Sequence, residues 1–301
     1  MKKDLIKKIK QLKEEKNAVI LAHNYQIGEI QDIADYTGDS LGLSREAANV
    51  EEDVIVFCGV DFMAETAAIL SPEKTVLLPV NSAECPMAEM VTVDGLREKK
   101  EQHPAAAVVC YVNSSAAIKA ESDVCCTSSN AVRVVESIPQ EEVIFVPDKN
   151  LADYVEKQTD KKIIKWEGLC PTHHRVKGTD IKKVREVLPD APIIVHPECR
   201  PEVVAGADFV GSTAQILEFA SETSSQTIII GTEEGIIHRL KKENPGKEFY
   251  VLNKGLICQN MKLTSLEDVA WALENMRNQV TVQDSVRLKA QEALDQMLKL
   301  G

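Results

Sequence analysis

The sequence predicts an α/β protein of three look-alike units, each a small layer of strands and helices, facing one shared site. Three observations carry this prediction. Short apolar runs of parallel-strand type alternate with helical stretches along the whole chain. A hydroxyl-bearing turn follows the first strand exit of each unit after 17 residues (23 to 40, 111 to 128, 196 to 213). A cysteine closes each unit, at Cys85, Cys170 and Cys258, and the spacing between these is nearly even (85 and 88 residues). Such matched timing indicates an internal repeat.

The elements follow in order. Residues 2–16 form a helix with Leu5, Ile6, Ile9 and Leu12 on one stripe. The first unit opens with the strand 18–22, which exits at His23-Asn24-Tyr25. Helices are expected over 28–36, 41–49 and 61–70, with strands at 54–58 and 75–80 leading to Cys85-Pro86. A helix near 94–101 connects to the second unit. Its strands are 107–110, 143–146 and 161–166, with Cys125 and Cys126 beside a further strand. Its helices end near 137 and span 150–158, and it closes in Gly168-Leu169-Cys170-Pro171-Thr172-His173-His174. Proline after cysteine holds the thiol at the start of a turn, since proline donates to no ladder and restricts its predecessor. A helix near 180–187 leads to the third unit, with strands 193–195, 228–230 and 248–252. Its helices run from the 211–213 turn to 220 and over 233–243 before Cys258. Two helices end the chain. Thr264-Ser265-Leu266-Glu267 reads as a capping box opening a helix to about 277. The last helix spans 282–299, with Val286, Leu288, Leu294, Met297 and Leu298 as packing positions. This tail is expected to fold back on the N-terminal helix or the first unit. The expected divisions are 1–86, 87–171 and 172–263, with 264–301 packing on the first.

Composition bounds the function. The 301 residues carry a formal net charge of −12, which argues against nucleic acid as the main partner. No apolar stretch approaches the roughly 20 residues that span a bilayer, so no membrane partner is expected. The charged N-terminus lacks the apolar run of a signal peptide. A cytoplasmic location follows, and there eight cysteines speak for metal ligation or catalysis rather than disulfides. Cys58 and Cys110, inside apolar strands, read as small hydrophobes, and Cys125 and Cys126 as structural. Cys199 is ambiguous.

Cys85, Cys170 and Cys258 stand apart at strand exits. Three thiolates are one short of a closed tetrahedral site. That suits either a cubane iron–sulfur cluster with one open iron or a zinc with one exchangeable ligand. The first strand exits bring His23, Tyr25, Tyr111, Asn113, His196 and Glu198, which are acid–base and hydrogen-bonding groups. Ser40, Ser128 and Thr213 stand at helix starts, where hydroxyls and free N–H groups receive anions. Plain helix capping would explain each singly; the matched set points to a small substrate bearing carboxylates or phosphate. Asp61, Asp148 and Glu233 read equally as caps. His103 and His238 read as structural.

Several blocks together resemble the quinolinate synthase family. They are Leu21-Ala22-His23-Asn24-Tyr25-Gln26, Gly38-Asp39-Ser40, Phe62-Met63-Ala64-Glu65, Cys85-Pro86-Met87-Ala88, Tyr111-Val112-Asn113-Ser114 and Cys126-Thr127-Ser128-Ser129-Asn130-Ala131. Val195-His196-Pro197-Glu198-Cys199, Val210-Gly211-Ser212-Thr213, Gly231-Thr232-Glu233 and Cys258-Gln259-Asn260-Met261-Lys262 extend the resemblance over nearly the whole chain. The resemblance implies three α/β domains in a triangle around a central active site. It implies a [4Fe–4S] cluster on Cys85, Cys170 and Cys258. The implied reaction condenses iminoaspartate with dihydroxyacetone phosphate to quinolinate, losing phosphate and water, and leaves room for transient contact with the oxidase that makes iminoaspartate. Implied substrate-site residues are His23, Tyr25, Ser40, Tyr111, Asn113, Ser128, His173, His196, Glu198 and Thr213. Among these Glu198 is expected to be the general base, with Tyr111 and His196 as hydrogen-bonding acids. The Cys-x-x-Cys of some members is absent, because Gln259, Asn260 and Met261 follow Cys258. The rival readings are an open-cluster hydro-lyase acting on a hydroxy acid and a non-catalytic small-molecule or metal-binding α/β protein.

Overall fold

A computed structural model describes residues 2–300. The chain opens with α1 (Lys2–Glu15), whose Ile9 and Leu12 are buried. The first sheet comprises β1 (Ala18–His23), β2 (Tyr36–Gly38), β3 (Val54–Cys58) and β4 (Thr75–Leu77), interleaved with α2 (Gly28–Ile33), α3 (Ser40–Asn49) and α4 (Asp61–Leu70). After α5 (Val93–Gln102) the second sheet holds β5 (Ala107–Tyr111), β6 (Val124–Cys126), β7 (Glu142–Val146) and β8 (Lys162–Lys165). Its helices are α6 (Ala116–Ala120), α7 (Ala131–Ser137) and α8 (Lys149–Glu156). The third follows α9 (Pro171–His174) and α10 (Gly178–Val187). It has β9 (Ile193–Val195), β10 (Phe209–Val210), β11 (Thr227–Gly231) and β12 (Glu248–Val251), with α11 (Pro201–Val204), α12 (Thr213–Glu222) and α13 (Ile236–Glu243).

The three sheets are wholly parallel and share one strand order: β2-β1-β3-β4, β6-β5-β7-β8 and β10-β9-β11-β12. The fold is therefore α/β with three αβα layers, as the repeat predicts. Parallel strands covered on both faces are apolar throughout, and β1, β3 and β5 are buried along their whole length.

Four details depart from the sequence reading. Each unit has four strands where hydrophobic runs show three with clarity, because β2 and β10 contain only three and two residues. Helix α2 stops at Ile33, short of 36, where the chain turns into β2. The cap of α14 (Leu266–Asn275) is Ser265 with Asp268, one residue beyond the expected box. In α15 (Asp284–Leu300) the buried face is Ala290, Ala293, Leu294 and Met297, while Leu288 is exposed. Helix α14 packs on α1 and β3, whereas α15 lies on α6 and β6 of the second sheet and on α4 and α7.

Candidate functional site

The carboxyl ends of all three sheets meet at one cavity of about 180 Å³, the place where open α/β sheets bind ligands. Direct hydrogen bonds join the units there in pairs. Asn24 Nδ2 donates to Thr213 Oγ1 at 3.0 Å, Ser129 Oγ donates to Asp39 Oδ2 at 2.7 Å, and His196 Nε2 lies 3.1 Å from Ser128 Oγ. Gly235 sits where the third unit abuts the first: a Cβ there would lie 2.6 Å from the Tyr25 carbonyl oxygen. The ten substrate-site residues expected from the sequence all line this cavity, and so do Cys85, Cys170 and Cys258.

Ser40, Ser128 and Thr213 are not themselves the helix caps. Asp39 caps α3 and Ser212 caps α12, which leaves Ser40 and Thr213 as the first helical residues, at the end where N–H groups lack intrahelical partners. Asn130 precedes α7, and Ser128 faces His196 instead.

Glu198 is the electrostatic centre. It is buried, and burial works against its charge. The His196 and His173 imidazoles oppose that effect, and the balance holds its carboxyl below the ordinary carboxylate range. Oε2 lies 2.6 Å from His173 Nδ1 and 3.6 Å from His196 Nδ1. Oε1 has no hydrogen-bond partner among the described residues, and neither does Asn113 Oδ1. Two buried acceptors left open on a cavity wall are costly unless a ligand meets them. Burial lowers His196 to about 3, and His23 to about 4 against the pull of Asp39 and Glu198, so both imidazoles are neutral near pH 7. Burial first, then Glu198, raises the phenols of Tyr25 and Tyr111 well above 10.0. The rings stack closely: His173 on His196 at 4.7 Å, and His23 edge-on to Tyr25 at 4.6 Å.

The thiols are suited to metal. Burial pushes Cys85 up to about 12 and raises Cys170 and Cys258, so a free thiolate is disfavoured and a cation relieves the cost. All three line the one cavity. Cys170 Sγ, a His173 nitrogen and a Glu198 oxygen lie within 4.8 Å of one another, a set able to hold a metal ion. The three thiols do not form so tight a group among the described residues. Wider spacing around one cavity fits thiolates that each bind a different iron of a cluster better than three ligands on a single ion. The other five cysteines are free and buried within the packed layers.

Residues 7–299 match the family described as NadA, quinolinate synthetase A protein. The chain belongs to that family. The quinolinate synthase of Methanosarcina barkeri is 58% identical over 295 residues, which cover 98% of this chain and 97% of that protein. The quinolinate synthase of Alkaliphilus metalliredigens is 56% identical over 298 residues (99% and 98%), and that of Geobacter metallireducens is 56% identical over 301 (100% and 99%). The chain is thus an enzyme of the quinolinate synthetase A family.

Two features of this family member lay beyond the sequence reading. Thr232 is fully buried, and its Oγ1 lies 2.5 Å from Tyr25 Oη and 2.9 Å from His173 Nε2, so one hydroxyl orients two cavity side chains. Its place in the Gly231-Thr232-Glu233 exit was the available signal. Lys262 Nζ donates to the Tyr25 carbonyl at 2.6 Å and sits 2.8 Å from Glu233 Oε1, tying the last cysteine turn to the first unit.

Proposed function

We propose that this enzyme is a quinolinate synthase that condenses iminoaspartate with dihydroxyacetone phosphate, with loss of phosphate and water. The observation that carries the reading is the convergence, on one cavity, of three thiols and a Glu198 carboxylate with one unpartnered oxygen. Cys85, Cys170 and Cys258 would hold a [4Fe–4S] cluster, which when bound supplies an open iron as a Lewis acid for substrate oxygens.

The chain's own groups do the rest. Glu198 removes a carbon-bound proton through Oε1, while His173 holds Oε2 in place. Tyr111 and His196 hydrogen-bond the reacting oxygens and return protons to them. Ser40 and Thr213 at their helix starts, with Ser128, seat carboxylates and phosphate, and Tyr25, Asn113, His23 and His173 orient the intermediate. The partners are small molecules, with transient contact to the iminoaspartate-forming oxidase, and the location is the cytoplasm. No helix among the described residues is long and apolar enough to cross a membrane. The same reading divides the chain at 1–86, 87–171 and 172–263, with 264–301 packing back, α14 on the first unit and α15 across the first and second.

Anaerobic purification with an absorption spectrum, iron and sulfide counts, and assay for quinolinate tests this. A brown protein that makes quinolinate only when both substrates are present is the expected result. Turnover of a hydroxy acid without dihydroxyacetone phosphate would favour a hydro-lyase, and iron-free, inactive protein a binding role.

A further inference from the structure

Three carboxylates outside the proton-transfer set do the same thing in each unit. Asp61 Oδ1 accepts the Cys85 backbone N–H at 3.1 Å, Asp148 Oδ2 that of Cys170 at 2.8 Å, and Glu233 Oε1 that of Cys258 at 3.0 Å. The acids stand just past the ends of β3, β7 and β11, which are equivalent strands, and the cysteines lie 24, 22 and 25 residues further on. Helix capping accounts for only part of this. Asp148 Oδ1 accepts Leu151 N at 2.7 Å and Glu233 Oε2 accepts Gly235 N at 2.7 Å, which are local bonds. The second bond, to a cysteine more than twenty residues away, is not a capping bond, and it recurs in all three copies.

The chemistry explains why a carboxylate is used. Each cysteine opens a tight turn, where its N–H has no ladder or helix partner. An acceptor with two oxygens can serve the helix start and the cysteine turn together. Asp148 does this while fully buried. Gly168 reinforces it: this residue bridges Asp148 in parallel fashion, and a Cβ there would meet the Pro147 carbonyl at 2.4 Å.

We propose that Asp61, Asp148 and Glu233 are positioning residues that fix the three cysteine turns in ligand geometry before any cluster is bound. The inference rests on the reading that Cys85, Cys170 and Cys258 hold a cluster. A turn already held by its acid loses little freedom when iron arrives; a released turn must be ordered at that moment, which weakens retention.

The test compares cluster lifetimes. Wild type and Asp61→Ala, Asp61→Asn, Asp148→Asn and Glu233→Gln proteins are loaded anaerobically with iron and sulfide. Excess ferrous chelator is added, and the visible absorbance is followed together with the thermal midpoint of the metal-free protein. Asp61 is the decisive site because it is only partly buried and its change is the least disruptive to folding. Asp61→Ala should lose iron about tenfold faster than wild type, the effect of one lost hydrogen bond. Asp61→Asn keeps a carbonyl oxygen for Cys85 N–H and should restore most of the lifetime. Asp148→Asn, which sets an amide N–H₂ against a backbone donor, should match or exceed the alanine effect. Equal lifetimes for Asp61→Ala and wild type, or an asparagine variant as labile as alanine, overturn the inference. Wild type that takes up no iron overturns the cluster reading beneath it instead.

Discussion

Glu198→Gln gives the sharpest test of the proposed chemistry. Oε2 is engaged by His173 Nδ1 at 2.6 Å, and Oε1 of this cavity-lining residue is buried without a hydrogen-bond partner among the described residues. Glutamine has nearly the same shape. Its carbonyl oxygen can keep the His173 contact, which turns the amide nitrogen toward the cavity. A base is thereby replaced by a donor with no lone pair for a proton, and the packing is unchanged. Loss of a positioned general base costs about 10²–10⁴-fold in kcat, or ~3–5 kcal/mol of transition-state stabilisation. Stability should change little, because removing a buried charge offsets the weaker bond to His173. The assay is anaerobic quinolinate formation, normalised to iron and sulfide in the same sample. Glu198→Asp retains the charge but draws the carboxylate back by one methylene, and should fall between wild type and Gln. A Gln variant with full cluster and kcat within about threefold of wild type would refute Glu198 as the base.

Further outcomes follow from the same geometry. Thr232→Val preserves volume but removes the hydroxyl shared by Tyr25 and His173, so kcat/KM should fall about tenfold with an unchanged fold by circular dichroism. Serine at Cys85, Cys170 or Cys258 should abolish cluster content after reconstitution, while Cys125→Ser, inside a buried strand, should retain it; iron and sulfide counts decide. The metal-free protein should lose stability as pH falls from 6.5 toward 4. Burial lowers His23 to about 4, so in that window the unfolded chain binds a proton that the folded chain refuses. The contribution is intact above 6.5, and its loss levels off below about 4 after roughly 3 kcal/mol, at ~1.4 kcal/mol per pH unit. Urea unfolding across that range should show a shallower slope for His23→Gln, and an equal slope would remove His23 from the account.

The parts of the fold that local chemistry dictates were legible in the sequence. Long apolar runs such as β1, β3 and β11 announce buried parallel strands, and the recurring strand exits give the threefold repeat. Strands β2 and β10 were hidden because two or three residues carry no period; pairing to β1 and β9 defines them. Two hydroxyls, Thr264 and Ser265, each precede an acid by three residues, and local pattern cannot choose between them. Burial does: Thr264 is inside, and Ser265 is left to cap α14. Leu288 is exposed because α15 turns its small residues Ala290 and Ala293 inward, which permits close approach to α6. The cavity wall was legible because its residues sit at strand exits. The place of Thr232 at the β11 exit was legible, but its pairing with Tyr25 and His173 was not, since these come from elsewhere in the chain and meet it only in three dimensions.

The repeat also explains how a threefold scaffold serves an asymmetric reaction. What is triplicated is a carboxylate that holds a cysteine turn and a hydroxyl on the cavity wall, at the first helical residue in two units and three residues before α7 in the second. The first strand exits diverge, with His23-Asn24-Tyr25, Tyr111-Val112-Asn113 and His196-Pro197-Glu198 in equivalent places. Only the third contributes a carboxylate. Four residues beyond the cysteine, Glu89 and His174 in the first two units correspond to Lys262 in the third. Lys262 places a cation against Glu233 and grips the Tyr25 carbonyl, so the unit that carries Glu198 also ties its cysteine turn to the first unit. A symmetric wall would present the same group to every end of a ligand. On the proposed chemistry, Ser40, Ser128 and Thr213 would hold the guest, and the one carboxylate among these exits, on Glu198, would select the carbon that loses its proton. Moving that carboxylate to an equivalent exit, as in Asn113→Asp with Glu198→Gln, would restore charge to the cavity at the wrong place. It should not restore turnover, because the proton must be taken from one face of a substrate already fixed by the other seats.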